Sequence, residues 1–120
     1  MFVISQITNE VDTMTYEPNF SISFISTTTG KLIHDAGTSD KKTPKGAAKN
    51  WMNNCGHIIS QFFAIETDIK VIVRPIECKA DSINMISHVN ADKYIARERR
   101  HGATVMDLVL GDSWGFDIWE

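Results

Sequence analysis

Four lysines lie close together where the chain reads GTSDKKTPKGAAKNW over residues 37–51. They are Lys41, Lys42, Lys45 and Lys49. Thr43 and Pro44 predict a helix start between them, because threonine is a common N-cap and proline suits the first helical position. Lysines around a helix start can contact the phosphates of a nucleic acid, or they can form an ordinary solvated face. The sequence leaves both interpretations open.

The lysines belong to a longer stretch, residues 18–55, that resembles the second half of a double-stranded RNA-binding domain. In that family two strands and a turn lead through a lysine-bearing connector into an alanine-rich helix, and the lysines contact phosphates across a groove. The resemblance implies this role for the four lysines named above. It covers about a third of the chain. The family opens with a helix, whereas strand-like sequence precedes residue 18, and the connector here is longer and contains Asp40.

A second basic patch lies late in a helix predicted over residues 91–101. Arg97 and Arg100, with Arg99 and Lys93, form this patch. Cations near a helix C-terminus interact favourably with the helix dipole, which accounts for them without a ligand. If the two basic patches converge in space, they can follow a phosphate backbone. Nucleic-acid binding, to double-stranded RNA or DNA, is therefore the alternative function.

The residues that could perform catalysis are scattered. His34 and Asp35 are adjacent on a predicted strand, where neighbouring side chains point to opposite faces, so we expect no orienting pair. The sequence contains no HExxH, GxSxG or phosphate-binding glycine motif, and no histidine and cysteine spacing typical of zinc. We therefore expect a protein that is not an enzyme, with no cofactor and no metal.

The C-terminal sequence WGFDIWE combines aromatic and acidic residues. The residues of this region predicted to bind a protein partner are Trp114, Phe116, Asp117, Trp119, Glu120 and Asp112. Aromatic residues are enriched at the energetic centres of interfaces, and an acidic rim steers towards a basic partner surface. The alternative is a closing strand whose rings fill the core. An exposed terminal strand would also allow a homodimer.

The apolar pattern predicts an α+β fold, in which helices pack on one face of a mostly antiparallel sheet. The predicted elements are a strand over 1–7, a hairpin over 20–26 and 31–36, a long amphipathic helix over 44–64, a strand over 69–74, a short helix from Ser82 to Val89, a second helix over 91–101 and a hairpin over 103–110 and 114–120. A helix over 104–110 is the alternative for that short apolar run. The bend between the two later helices is expected near Asn90, which could cap the second of them.

Length and composition describe one soluble domain over residues 1–120. The chain is 42% hydrophobic and 22% charged, with a net charge of −3 and a pI of about 5.8, which argues against a general nucleic-acid coat or a membrane-surface protein. Two distant cysteines, Cys55 and Cys78, indicate reduced thiols, with Cys55 buried. No signal peptide or membrane span is evident, so we expect a cytoplasmic protein.

A small acidic chain of this kind predicts a non-catalytic protein that works by occupying a surface. Such chains are common among phage and mobile-element inhibitors that disable a host defence or nucleic-acid-handling machine. This is an analogy of type. We expect the C-terminal end to dock on a basic surface of a protein partner, with nucleic-acid binding as the alternative.

Overall fold

The computed structural model describes residues 17–64, 66, 68–76, 86–111 and 115–120. The elements follow one another as strands β1 (Phe20–Ser26) and β2 (Lys31–Ser39), helix α1 (Pro44–Phe62), strands β3 (Ile69–Pro75) and β4 (Ile86–His88), helix α2 (Ala91–Arg100), and strands β5 (Thr104–Leu110) and β6 (Phe116–Trp119). The strand predicted over residues 1–7 lies outside the described residues, as do Cys78 and the first part of the helix predicted from Ser82.

The six strands form one sheet in the order β4-β2-β1-β3-β5-β6, and every neighbouring pair is antiparallel. Both hairpins were predicted, β1–β2 from the alternation of apolar and polar residues and β5–β6 from two short apolar runs separated by residues 111–113. Strand β3 joins them, because it pairs with β1 on one side and with β5 on the other. The predicted α+β class with a mostly antiparallel sheet is confirmed.

Helix α1 begins where the sequence predicts. The Thr43 hydroxyl accepts a hydrogen bond from the amide of Gly46 at 3.0 Å, and Pro44 holds the first helical position. The apolar stripe of the helix then packs on the face of the sheet that carries Ile22 and Phe24 of β1. Its buried members are Ala47, Ala48, Trp51, Met52 and Ile59. Burying each large apolar side chain contributes about 2 kcal/mol to the stability of the fold. Among the described residues, the cluster on this face is larger than the one on the opposite face, so it is the main core.

Helix α2 lies on the opposite face of the sheet, and the prediction that the helices share one face is wrong. Its apolar residues, Ala91, Tyr94 and Ile95, pack against a separate cluster formed by Ile25, Leu32 and Ile72. Each strand presents alternate residues to its two faces, so β1 and β3 supply both clusters. A second apolar layer on the other side of the sheet needs its own cover, and α2 provides it.

Four further predictions can be compared with the structure. Ile86–His88 is a short strand beside β2, and not the end of a helix. Thr104–Leu110 is a strand, so its helical alternative is wrong. Asn90 caps α2 by accepting a hydrogen bond from the Lys93 amide at 3.0 Å. Cys55 is a half-buried thiol without a disulfide, and not fully buried.

The register shows where the two helices lie along the strands. Phe20, the first residue of β1, pairs with Ser39 at the end of β2 and with Pro75 at the end of β3. Helix α1 starts shortly after Ser39, and α2 ends shortly before Thr104, which pairs with Val73. The beginning of α1 and the end of α2 therefore lie at the same end of the sheet, on opposite faces. In the part of the chain that the structure describes, neither helix is long and apolar enough to cross a membrane.

Candidate partner-binding surface

The β5–β6 hairpin divides the predicted partner-binding residues between its two faces. Phe116 is half-buried and packs, with the buried Ile118, against the core beneath α1. Asp117 and Trp119 alternate with them and point to the face that carries α2. Phe116 is thus a core residue, whereas Asp117 and Trp119 are exposed. Trp114 and Asp112 lie outside the described residues.

Helix α2 leaves the outer part of its own face of the sheet uncovered. Val105 of β5 packs against the α2 cluster, but the next residues on that face, Asp107 and Val109, are exposed. The side chain of Trp119 is 57% exposed and that of Val109 is 51% exposed. Since Asp107 pairs with Trp119 and Val109 with Asp117, the tryptophan and the valine are diagonal neighbours. They form a small apolar patch, which we call the Trp119 face.

The charge around the Trp119 face is negative. Asp107 and Asp117 lie on this face and are exposed, the exposed Glu120 directly follows Trp119 in the chain, and the described residues of β5 and β6 contain no lysine or arginine. Lys70 of β3 is ion-paired with Asp107 and lies 3.8 Å from Asp68, so this lysine is shared between two carboxylates. Because one lysine serves both of these carboxylates and Asp117 adds a further negative charge, the exposed ring of Trp119 lies in an acidic setting that can hold a cationic side chain, both by ion pairing and by cation–π attraction.

The predicted phosphate-binding lysines gather at the start of α1. Lys41, Lys42 and Lys49 are exposed, and Lys45 is half-buried. The connector that carries the first two is fixed by Asn19, whose Nδ2 donates to the main-chain oxygens of Asp40 and Lys41 at 2.9 and 3.3 Å. The first turn of α1 contains no acidic residue. Because they lie at its start, these lysines surround the positive end of the helix dipole, and no acidic side chain of the first turn offsets their charge.

The second basic patch does not join the first on one surface. Arg97 and Arg100 are exposed near the end of α2, across the sheet from the lysines of α1. Arg97 also lies over the ring of Tyr94, with 5.2 Å between its guanidinium carbon and the ring centroid. Because both patches lie at the same end of the sheet, a large ligand placed across that end could reach both.

A partly buried polar cluster between α2 and the sheet was not predicted from the sequence. Arg74 of β3 pairs with the carboxylate of Asp35 and lies 3.4 Å from that of Glu98 on α2. The Glu98 side chain is only 8% exposed. Burial raises the pKa of the nearby Tyr94 phenol above its usual value, and the negative charge of Glu98 adds to this effect. One arginine thus balances two carboxylates under the helix.

A bulge in the β1–β2 pairing brings Asp35 into this cluster. The register shifts between Ile22 and Phe24, and Asp35 has a φ of 40°, which is unusual for a residue other than glycine. The Ser23 hydroxyl accepts a hydrogen bond from the Asp35 amide at 3.0 Å. His34 and Asp35 therefore lie on the same face of the sheet, and not on opposite faces as predicted.

His34 and Asp35 nevertheless have separate partners. The Nε2 atom of His34 is 2.8 Å from the Ser87 hydroxyl on β4, and its ring meets the Tyr94 ring edge-on at 6.5 Å. Asp35 is held by Arg74. The only sequence signal for the bulge is the residue type, since aspartate tolerates positive φ better than most residues do.

Among the described residues, no group of three histidine, cysteine, aspartate or glutamate side chains could hold a metal ion. Comparisons with protein-family models, with curated proteins and with solved structures find no match to this chain.

Proposed function

We propose that this protein is a non-catalytic binding protein that docks through its Trp119 face on a basic surface of a protein partner. One observation carries the proposal: a tryptophan and a valine are more than half exposed side by side, on a part of the sheet that α2 does not cover. Large apolar residues exposed together inside a polar rim are typical of interaction sites. Tryptophan is also among the residues that most often dominate binding energy.

The acidic rim indicates the kind of partner. Asp107, Asp117 and Glu120 would repel a negatively charged surface and attract a positive one. Basic surfaces are common on proteins that handle nucleic acids, because such surfaces bind phosphates. We propose that the protein is a phage or mobile-element inhibitor that covers such a surface on a host defence machine, blocking it sterically and electrostatically.

The experiment compares partner capture by the wild-type protein and by the Trp119→Ala/Asp117→Lys variant. Bacterial proteins retained by the wild type are identified, purified and tested for nucleic-acid binding as the inhibitor is titrated. We expect the variant to weaken capture by about 30-fold, since truncating a central tryptophan costs roughly 2 kcal/mol. Both proteins should show the same thermal melting curve by circular dichroism.

Ile86→Ala is the matched control, because Ile86 is an exposed apolar residue on the opposite edge strand. This variant should capture the partner as the wild type does. Full capture by the Trp119→Ala/Asp117→Lys variant would reject the Trp119 face as the docking surface. A captured partner whose nucleic-acid binding is unaffected would reject the inhibitor mechanism.

The second candidate function is direct nucleic-acid binding through the lysines at the start of α1. It is favoured by the position of both basic patches at one end of the sheet, where a helix N-terminus adds its positive dipole. The relevant residues are Lys41, Lys42, Lys45, Lys49, Arg97 and Arg100. This candidate does not require the Trp119 face.

A further inference from the structure

The hydrogen bonds of the β5–β6 hairpin show which N–H and C=O groups of β6 point towards β5. Gly111 donates a main-chain hydrogen bond to Gly115 across the turn, and Val109 pairs with Asp117. Hydrogen-bonded and non-bonded pairs alternate along an antiparallel ladder. Counting from the bonded pair of Gly111 and Gly115, the next two bonded pairs are Val109 with Asp117 and Asp107 with Trp119. The N–H and C=O groups of these two residues therefore point towards β5.

The main-chain groups of Phe116 and Ile118 consequently point away from β5. Among the strands that the structure describes, β6 is last in the sheet order and has a neighbour on its β5 side only. These outward groups are a template for another strand. The side chains of Phe116 and Ile118 are meanwhile held in the core, which fixes the edge in its extended shape.

We infer that the partner engages this edge with an extended segment that adds to the sheet as a strand beside β6. The inference rests on the proposed function and specifies its binding mode. Side chains of an added strand would alternate between the two faces of the sheet. Those on the Trp119 face would lie beside Asp117 and Trp119, which suit lysine or arginine. Those on the other face would lie beside Phe116 and Ile118, which suit an apolar residue.

The occupant is therefore a segment in which basic and apolar residues alternate. A second copy of this chain fits less well. Two β6 strands paired edge to edge would place two acidic chain ends side by side, and like charges directly opposite on neighbouring strands are destabilising. The charge of the hairpin thus favours a basic partner over self-association.

The test uses a fluorescein-labelled peptide of eight residues in which arginine and valine alternate. Fluorescence anisotropy measures its binding to the full-length protein, and NMR measures amide hydrogen exchange. We expect saturable binding that Asp117→Lys weakens by about tenfold or more. Exchange of the Phe116 and Ile118 amide protons should slow when the peptide is added. The Asp117 and Trp119 amides should change little, because they already bond to β5.

Three control peptides isolate the mechanism. A peptide with glutamate in place of arginine should not bind. A peptide with methyl groups on alternate backbone nitrogens should bind about tenfold more weakly, because one edge of the peptide then has no N–H groups to donate to β6. A peptide with the same composition but all arginines first should also bind more weakly. Equal binding of the alternating, methylated and regrouped peptides would overturn strand addition.

The inference and the proposed function fail in different ways. Loss of partner capture in the Trp119→Ala/Asp117→Lys variant, with no peptide binding and no slowed exchange at Phe116 and Ile118, would reject strand addition and leave docking intact. Full capture by that variant would reject docking itself. A stable dimer of the wild-type protein in sedimentation velocity, in which exchange of the Phe116 and Ile118 amide protons slows as protein concentration rises without any peptide, would assign the edge to a second copy and overturn the inference.

Discussion

Arg74 is a single cation shared by two carboxylates. It lies under α2 between the carboxylates of Asp35 and Glu98, and Glu98 is almost wholly buried. A buried carboxylate without a nearby cation is expensive, so the arginine contributes chiefly by neutralising Glu98. Asp35 reaches this arginine only because its backbone adopts a positive φ. Here the strain of one residue is offset by an ion pair.

We expect Arg74→Met to lower the free energy of unfolding by about 2–3 kcal/mol, somewhat less than for a fully buried pair because Arg74 is partly exposed. Adding Glu98→Met to this variant should recover more than half of the loss, since the buried charge is then gone. Urea denaturation followed by circular dichroism measures both. Arg100→Met, on an exposed arginine of α2, is the control and should change stability by less than about 0.5 kcal/mol. Equal losses in Arg74→Met and Arg100→Met would contradict the neutralising role.

At the scale of elements, the β1–β2 turn is tied to the start of α2. Gly30 has a φ of 77° in that turn, and its carbonyl accepts a hydrogen bond from the Val89 amide at 2.9 Å. A Cβ at Gly30 would lie 2.1 Å from the Val89 oxygen. Gly102, after α2, also has a positive φ, but a Cβ there would meet nothing within 4 Å. An alanine at Gly102 therefore tests the cost of backbone strain alone, whereas an alanine at Gly30 adds a steric clash.

Gly102→Ala should cost about 1–2 kcal/mol of stability, which is the penalty of a left-handed conformation for a residue with a Cβ. Gly30→Ala should cost at least about 2 kcal/mol more, because the Val89 segment must also move, and α2 with it. Thermal and urea unfolding of the two variants give the difference. If both alanine variants lose the same amount, the turn does not fix the start of α2.

The elements differ in how far the sequence determines them. Thr43 and Asn90 are local capping signals, and the helices begin at them. The side of the sheet that α2 occupies depends instead on a distant match, between three apolar residues of a short helix and Ile25, Leu32 and Ile72. The alternation in FSISFIS indicates one polar face, yet Ser21 and Ser23 are buried, on the face of the sheet that carries α2. Serines covered by another element cannot be told from solvated ones by local pattern.

The sequence also predicted the candidate site only in part. Aromatic and acidic residue types in WGFDIWE indicated an interaction surface, and the exposure of Trp119 and Asp117 fits that interpretation. Which aromatic residues face the core depends on the register of β6 against β5, and Phe116 proved to be on the core side. Val109 and Asp107 were missed because they come from the neighbouring strand. Only the pairing of the strands brings them to the Trp119 face.

At the scale of the whole molecule, the acidic β5–β6 hairpin lies apart from the two basic patches. The exposed acids of the β5–β6 hairpin lie away from the end of the sheet where α1 begins and α2 ends, and that end carries both basic patches. A chain with a net charge of −3 can therefore still present a locally positive surface. This separation makes the second candidate function testable without disturbing the Trp119 face.

We expect any binding of a labelled 20-base-pair RNA or DNA duplex to depend on Lys42 and Lys45. Four phosphate contacts would give a log–log slope of affinity against salt of about −3 to −4, and Lys42→Glu/Lys45→Glu should reduce its magnitude by about 2. Fluorescence anisotropy between 50 and 300 mM salt measures the slope. Lys93 was predicted as part of the second basic patch, but it lies in the first turn of α2, at the other end of the helix from Arg97 and Arg100. Lys93→Glu is therefore the control and should leave the slope unchanged. An equal reduction in both variants would indicate a general charge effect. No binding at 50 mM salt would make the lysines a solvated helix face, and the Trp119 face would then be the surface that remains to explain function.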